Sequence, residues 1–225
     1  MERLWHPGVN LAADSLLFTI DPEQDYRVCA LLIERGGTSG AETGRMAFPG
    51  GFVNTSAPKG QPFVMDMEST AQAAAREASE ETRMLVRPES MTAVGVYDDP
   101  KRDPRNEPGV SQVVSHAWAA VVPWSRPKAG DDARRAVWKP LDDLTPDSLA
   151  FDHGQMLSDA RLALRDELAQ LEKLGHSLRV QAHSGARFDA SDPAVRIAAE
   201  KVFERGARPD ESVATDAPAS PATLP

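Results

Sequence analysis

Only one cysteine, Cys29, occurs in 225 residues, so the chain has no intrachain disulfide framework. Cys29 lies in an apolar run, where a lone thiol packs as a small hydrophobe. No apolar run is long enough to span a bilayer. Glu2 and Arg3 beside Trp5 lack the form of a signal peptide. Together these absences predict a cytoplasmic, reduced setting. Basic charge is also short, with Lys and Arg totalling 25 against 34 Asp and Glu, for a net charge of -9. That argues against general nucleic-acid binding, which needs Lys and Arg to neutralise phosphates. It leaves a phosphate substrate open, because a divalent metal can reverse the local charge. Internal repeats are absent. The length suits one ordinary domain with a full core, plus extra material.

The richest stretch is Met67 to Met84. Alanines fill its first half, and Ala is the best helix former. Ser69 followed by Gln72 has the spacing of a capping box. Asp66 and Glu68 sit where a helix N-terminus favours negative charge. A helix is therefore predicted over Thr70 to Thr82. Its second half carries Arg76, Glu77, Glu80 and Glu81. Residues three and four apart share a helix face, so Glu80 and Glu81 both lie one turn beyond Glu77. Their mutual repulsion costs a few tenths of a kcal/mol, partly offset by Arg76 one turn before Glu80. One reading is a solvated acidic face. The other is three carboxylates converging on a hard cation such as Mg²⁺, which prefers oxygen ligands and pairs with substrate phosphates. The Phe48-Pro49-Gly50-Gly51 turn upstream favours the second, since paired glycines let backbone approach a metal or phosphate.

In chain order, Val9 to Ile20 reads as a strand and Tyr26 to Glu34 as a second, apolar enough to be central in a sheet. Thr38 to Gly44 reads as a flexible loop, and Met46 to Val53 as a short strand around the glycine turn. Asn54 to Asp66, with two prolines, a glycine and a lysine, reads as an inserted loop. It is either decoration or a lid, and the low cost of lengthening a loop favours decoration. Strands follow over Met91 to Tyr97, over Gln112 to Pro123 and around Trp138, with a rigid polar loop from Asp98 to Gly109. Leu157, Ala160, Leu164, Leu168 and Leu171 mark one amphipathic helix over Gly154 to Leu174. Asp192 to Glu204 suggests a second, started by Asp192 and Pro193. The Ala/Pro/Ser/Thr-rich, aromatic-free end predicts a disordered tail from about 208. This order gives an α+β or α/β/α sandwich with a mixed sheet.

Turn and helix together resemble the Nudix box, in which Gly, five residues, Glu and seven residues precede Arg-Glu-apolar-x-Glu-Glu-x-Gly-apolar. Glu68 and Arg76 to Glu81 fit without a gap. Gly51, however, stands 17 positions before Glu68 where the pattern has six, which leaves eleven extra residues. Arg83 replaces the late glycine, so either the helix end is strained or the helix runs on. Flanking pieces are similar to the branch containing ADP-ribose pyrophosphatases and related regulators of NAD metabolism. They are Leu31 to Gly36, Gly44 to Val53, Tyr97 to Pro100 with Arg102 to Arg105, Val113 to Ser115, Gly130 to Ala133 and Leu149 to His153. Met46 stands where that branch tends to carry tryptophan. The resemblance covers roughly residues 8 to 165 and implies a Nudix domain over 1–175, leaving a short helical extension over 176–207 and a tail over 208–225.

The resemblance implies a metal-dependent hydrolase of a nucleoside diphosphate linked to another moiety, foremost ADP-ribose, with Mg²⁺ or Mn²⁺ as cofactor. Glu77 and Glu81, then Glu80, are its implied metal ligands, with the backbone carbonyl of Gly51 or Gly50. Arg76 is expected to orient the glutamates and Glu68 to brace the helix entrance. Arg35, Arg45, Gly50, Gly51, Arg102 and Arg105 are candidates for substrate contact, since Arg grips phosphate bidentately. The general base is a box glutamate, Asp103 or Glu107. Asp152 is read as a helix start rather than as the partner of His153, and His116 as structural. Other Nudix substrates (nucleoside triphosphates, dinucleotides, sugar nucleotides) are the alternative within the class. The alternative outside it is a non-catalytic ADP-ribose sensor regulating transcription, disfavoured because no basic recognition helix follows Leu174. The expected partner is a small nucleotide, without nucleic acid or membrane. The branch's dimers imply a homodimer.

Overall fold

Strand β1 (Gly8–Asp21) is buried on both faces from Ala12 onward, which explains its nearly continuous apolar run. The computed structural model describes residues 7–36, 41–54, 68–130 and 133–184. The expected Asp192–Glu204 helix, the tail and all but Asn54 of the expected insertion lie outside them. Strands β2 (Arg27–Arg35), β3 (Met46–Ala47), β4 (Gly50–Phe52), β5 (Thr92–Tyr97), β6 (Ser111–Val121) and β7 (Ala133–Pro140) join β1 in one mixed sheet. β6 runs parallel to β1, and every other pairing is antiparallel.

The register of β1 positions the site. One edge of β1 pairs with β6 along its length, from Gly8↔Ser111 to Phe18↔Val121. The other edge changes partner. Ala12 to Asp14 pair with β4, and Phe18 to Asp21 pair with β2. β2 divides an edge likewise, between β1 at Arg27 to Ala30 and β3 at Ile33 and Glu34. The two central strands therefore splay, and Phe48 and Pro49 sit in the opening between β3 and β4. The single strand expected over Met46–Val53 is thus two short ones, because Phe48 and Pro49 leave the ladder.

Side-chain alternation divides the core between two layers. Leu16, Phe18, Ile20, Ala30 and Leu32 face α2 (His153–Ala163) and α3 (Arg165–His183). Ala13, Leu17, Cys29 and Leu31 face α1 (Thr70–Thr82). The fold is the expected α/β/α sandwich. Leu16, Leu17 and Phe18 are fully buried, each stabilising the fold by about 1.5–3 kcal/mol. Burial holds the Cys29 thiol up at about 12, an inert core group as expected.

The expected amphipathic helix is two. The chain turns at Leu164, whose φ of −108° and ψ of 26° lie outside the helical range. Leu157, Ala160, Leu164, Leu168 and Leu171 are all buried, so the apolar spacing survives across the turn. Neither Pro nor Gly marks the break, and α3 continues past 175 to His183. No described helix is long and apolar enough to cross a membrane.

α1 has the predicted bounds and the predicted capping box, with Ser69 Oγ accepting from Gln72 N and Gln72 Oε1 from Ser69 N. Its C-terminal carbonyls are capped in turn. Lys128 N–H donates to Thr82 O at 2.9 Å and Gly130 N–H to Glu81 O at 2.8 Å. Arg83 ends the helix at φ 62°, ψ 15°, the left-handed cap that a glycine would take without strain. Since the Arg83 side chain is exposed, Arg83→Gly should stabilise the fold by about 1 kcal/mol. It should raise Tm by roughly 2–4 °C in a thermal melt. A lower Tm would mean that the Arg83 side chain contributes more than its backbone costs.

Candidate active site

Arg76 organises the acidic face of α1. Its guanidinium donates to both oxygens of Glu68 at 3.0 and 2.8 Å, to Glu77 Oε1 at 2.7 Å, to Glu80 Oε2 at 2.9 Å and to Phe52 O at 3.0 Å. The Glu68 hydrogen bonds, then Glu77, raise its pKa further above the usual arginine range. Glu68 is desolvated, yet Arg76 and the Asn54 N–H at 2.7 Å hold its carboxyl below the usual value. Arg76 thus touches three glutamates, and Glu68 ties the start of α1 to the chain at Asn54.

The three-carboxylate convergence does not form. Among the described residues, no group of three or more His, Cys, Asp or Glu is gathered to hold a metal. Glu80 is drawn to Arg76, leaves the cavity and keeps 58% of its side chain exposed. Glu77 and Glu81 instead flank the glycine turn. A Cβ on Gly51 would lie 2.4 Å from Glu77 Oε1, and one on Gly50 only 2.2 Å from Asp14 Oδ1. At Gly50 the backbone carbonyl of Ala13 closes the space as well, at 2.8 Å, whereas a side chain at Gly51 would displace only the Glu77 carboxylate. Gly50 N–H donates to Glu81 Oε2 at 3.0 Å. Burial, then the charge of Glu77, pushes Glu81 up to about 8. Burial also raises Glu77, against the pull of Arg76.

This is an oxygen-only donor set in which burial disfavours the charged form of both glutamates, the environment a hard divalent ion relieves. Glu77, Glu81 and the backbone of Gly50 or Gly51 fit such an ion. Glu80 would need to leave Arg76 to join them.

From this turn a cavity of about 500 Å³ opens along the splay of β1 and β2. Asp14, Gly50, Gly51 and Glu81 line one part of it, and Arg35, Arg105, Asp103 and Phe151 another. Arg35 lies 4.6 Å and Arg105 5.8 Å from the Phe151 ring centre, within cation–π range. Arg35 donates to Ala41 O at 3.0 Å and makes no ion pair among the described residues. Burial, then nearby Arg105, lowers its pKa, so an anion would be welcome there.

The other sequence candidates divide. Arg102 lines the cavity, but Asp152 holds its Nε and Nη2 at 2.8 Å each. Asp103 is buried, and Arg105 keeps its carboxyl below the usual range despite desolvation. Arg45 does not line the cavity. It donates to the carbonyls of Asp147 and Leu149 and pairs with Glu42. Glu107 is likewise absent from the lining and closes a backbone turn with Ser111. Asp152 does precede α2, but it makes no capping bond and serves Arg102 instead. His116 is structural, with Nδ1 3.3 Å from Thr70 Oγ1.

Sequence reasoning missed Asp14 and Phe151 and set His153 aside. Asp14 had a signal, a lone carboxylate inside an apolar strand, where an unpaired acid is seldom buried. Phe151 had none, since its left-handed backbone, φ 51°, appears only in the fold. His153 is 3% exposed, lines the cavity and accepts Phe48 N–H at Nδ1, 2.9 Å away.

The NUDIX domain family model matches residues 12–160. The chain belongs to the Nudix family. The ADP-ribose pyrophosphatase of Methanocaldococcus jannaschii is 34% identical over 154 residues, which are 68% of this chain and 73% of that protein. Two solved structures share the fold at 24% identity. A MutT/nudix family protein from Enterococcus faecalis has a TM-score of 0.58 and covers 89% of this chain and 84% of its own. The NUDIX domain of Shewanella oneidensis NrtR, solved with ADP ribose, has a TM-score of 0.55 with 69% and 88% covered.

A raised carboxyl stabilises the fold while protonated, so the Glu81 contribution is full below its ordinary value of 4.5 and is lost as pH rises through about 8. Metal-free Nudix domain should therefore lose roughly 5 °C more in Tm than Glu81→Gln between about pH 5 and pH 8. The same pH slope in Glu81→Gln would place the titrating group elsewhere.

Proposed function

We propose that this Nudix pyrophosphohydrolase cleaves the diphosphate of ADP-ribose or a closely related nucleoside diphosphate conjugate, giving AMP and ribose 5-phosphate from ADP-ribose. One observation carries the reading. A single cavity joins the buried Glu81 at the glycine turn to Arg35 and Arg105 beside Phe151. A diphosphate conjugate needs both, cationic contacts for its phosphates and an aromatic face for the attached moiety. The likeness to an ADP-ribose pyrophosphatase supports the same substrate class.

Mg²⁺ or Mn²⁺ held by Glu77 and Glu81 would neutralise diphosphate charge and activate water. The chain's own groups do the rest. Arg76 donates to Glu77 Oε1 at 2.7 Å and opposes the rise that burial imposes on its carboxyl. Arg35 and Arg105 orient the phosphates. Of the two bases considered outside α1, Asp103 lines the cavity and Glu107 does not. Both Asp103 oxygens accept from Arg105. A phosphate that draws Arg105 away would free an Asp103 oxygen for the proton of the attacking water.

Product release should be measured on ADP-ribose, NADH, NDP-sugars and NTPs with Mg²⁺ and Mn²⁺. ADP-ribose is the expected best substrate, and Glu81→Gln should lower kcat about 10²-fold or more, as loss of metal-based stabilisation implies. Tight ADP-ribose binding with no turnover of any substrate would instead favour the sensor. Better turnover of another class would reassign the substrate and keep the chemistry.

Substrate grip is a separate test. Arg35→Ala should raise KM for the best substrate about tenfold or more, the loss of one charge-assisted contact. An unchanged KM would remove Arg35 from the binding site.

A further inference from the structure

We infer that His153, through the backbone N–H of Phe48, is a positioning residue that sets where Glu81 presents its carboxylate; this rests on the metal-hydrolase reading above. His153 starts α2, on the opposite side of the sheet from the glutamate helix. Its ring is nonetheless buried against the cavity between Phe48 and Phe151, with ring centres 5.7 and 5.6 Å away. Nδ1 accepts the Phe48 N–H at 2.9 Å, so Nδ1 carries no proton. The neutral ring's proton is then on Nε2, which faces Asp14 Oδ1 at 3.6 Å. Asp14 is fixed from the far side by the Ser115 hydroxyl, which donates to Oδ2 at 2.5 Å.

The consequence travels along three residues of backbone. Phe48 is followed by Pro49, whose carbonyl accepts from Ser15 N at 2.8 Å. Gly50 comes next, with its N–H on Glu81 and its Cα against Asp14. His153 and Asp14 thus hold the turn at both ends, and the turn holds Glu81. Backbone bonding to β1 reaches Pro49 through its carbonyl, whereas the Phe48 N–H is held by the His153 ring. A fully buried imidazole that only filled space could be replaced by a ring without nitrogen.

That substitution is the test. His153→Phe keeps the ring and deletes the acceptor. His153→Asn puts an amide oxygen where Nδ1 stands. Mn²⁺ binding is read by calorimetry without substrate, beside steady-state kinetics and a thermal melt. In folded His153→Phe, Mn²⁺ affinity and kcat should each fall about tenfold with KM little changed, the scale typical of outer-sphere partners of metal ligands. His153→Asn should recover most of both. A lower Tm with Mn²⁺ affinity and kcat at the wild-type level would overturn the inference, as would an Asn variant no better than Phe. Wild-type protein that binds no Mn²⁺ would instead sink the metal reading, and this inference with it. Should His153→Phe fail to fold, a long-range ¹H–¹⁵N spectrum of the wild type decides the geometry. A proton on Nε2 and none on Nδ1 is expected, and a proton on Nδ1 overturns the proposal.

Discussion

Strand β1 changes partner partway along one edge, from β4 at Ala12–Asp14 to β2 at Phe18–Asp21, and the site follows from that change. A sheet paired evenly along both strands would have no room for Phe48 and Pro49. With the strands splayed, those residues leave the ladder and bring Gly50 and Gly51 onto the α1 side of the core edge. A larger residue at Gly50 would meet Asp14 and the backbone carbonyl of Ala13, and one at Gly51 would displace the Glu77 carboxylate. The cavity and the carboxylates beside it therefore have a common cause in strand register, and the alanine-rich face of α1 lets the helix approach closely enough to use it.

Charge compensation on α1 is uneven. Arg76 pairs with Glu68, Glu77 and Glu80, so three of the four box glutamates have a cation at 2.7–3.0 Å. Glu81 has only the Gly50 N–H, and desolvation outweighs it. An even arrangement would be more stable without ligand but would leave nothing for a cation to gain. The same asymmetry recurs among the arginines, where Asp152 holds Arg102 and Asp103 holds Arg105 while Arg35 lacks an ion pair among the described residues. Glu81 and Arg35 border one cavity, which is how a phosphate and its counter-ion come to share a site.

What the sequence made legible was local. The bounds of α1, its capping box and the Arg76–Glu80 spacing are set within a few residues of chain, and the structure keeps them. The apolar runs of β1 and β2 show burial on both faces directly. What was illegible depends on partners far away in the chain. His153 meets Phe48 across 105 positions, and Ser115 meets Asp14 across 101. The pair Asp152 and His153 looked like a helix start because adjacency says nothing about residues that approach from another layer. Glu80 shows a limit at shorter range. Helix spacing put it on the same side as Glu77, but the choice between a metal and Arg76 is made by side-chain reach, which periodicity does not report.

The long gap between Gly51 and Glu68 has a physical account in the residues at its two ends. Asn54 N–H donates to Glu68 Oε1 at 2.7 Å, and Arg76, itself bound to Glu68, donates to Phe52 O at 3.0 Å. The chain on either side of the extra residues is thus tied together by groups that belong to the box pattern. Once the ends are fixed by such contacts, lengthening the connection costs only loop-closure entropy, about 0.6 kcal/mol for each doubling. The glycine turn and the helix keep their relation whatever the length between them. The spacing that departs most from the family pattern is therefore the one the geometry constrains least, whereas the seven residues between Glu68 and Arg76 lie on one helix and its cap, where a single insertion would break the Glu68–Arg76 pairing that ties the helix to the turn.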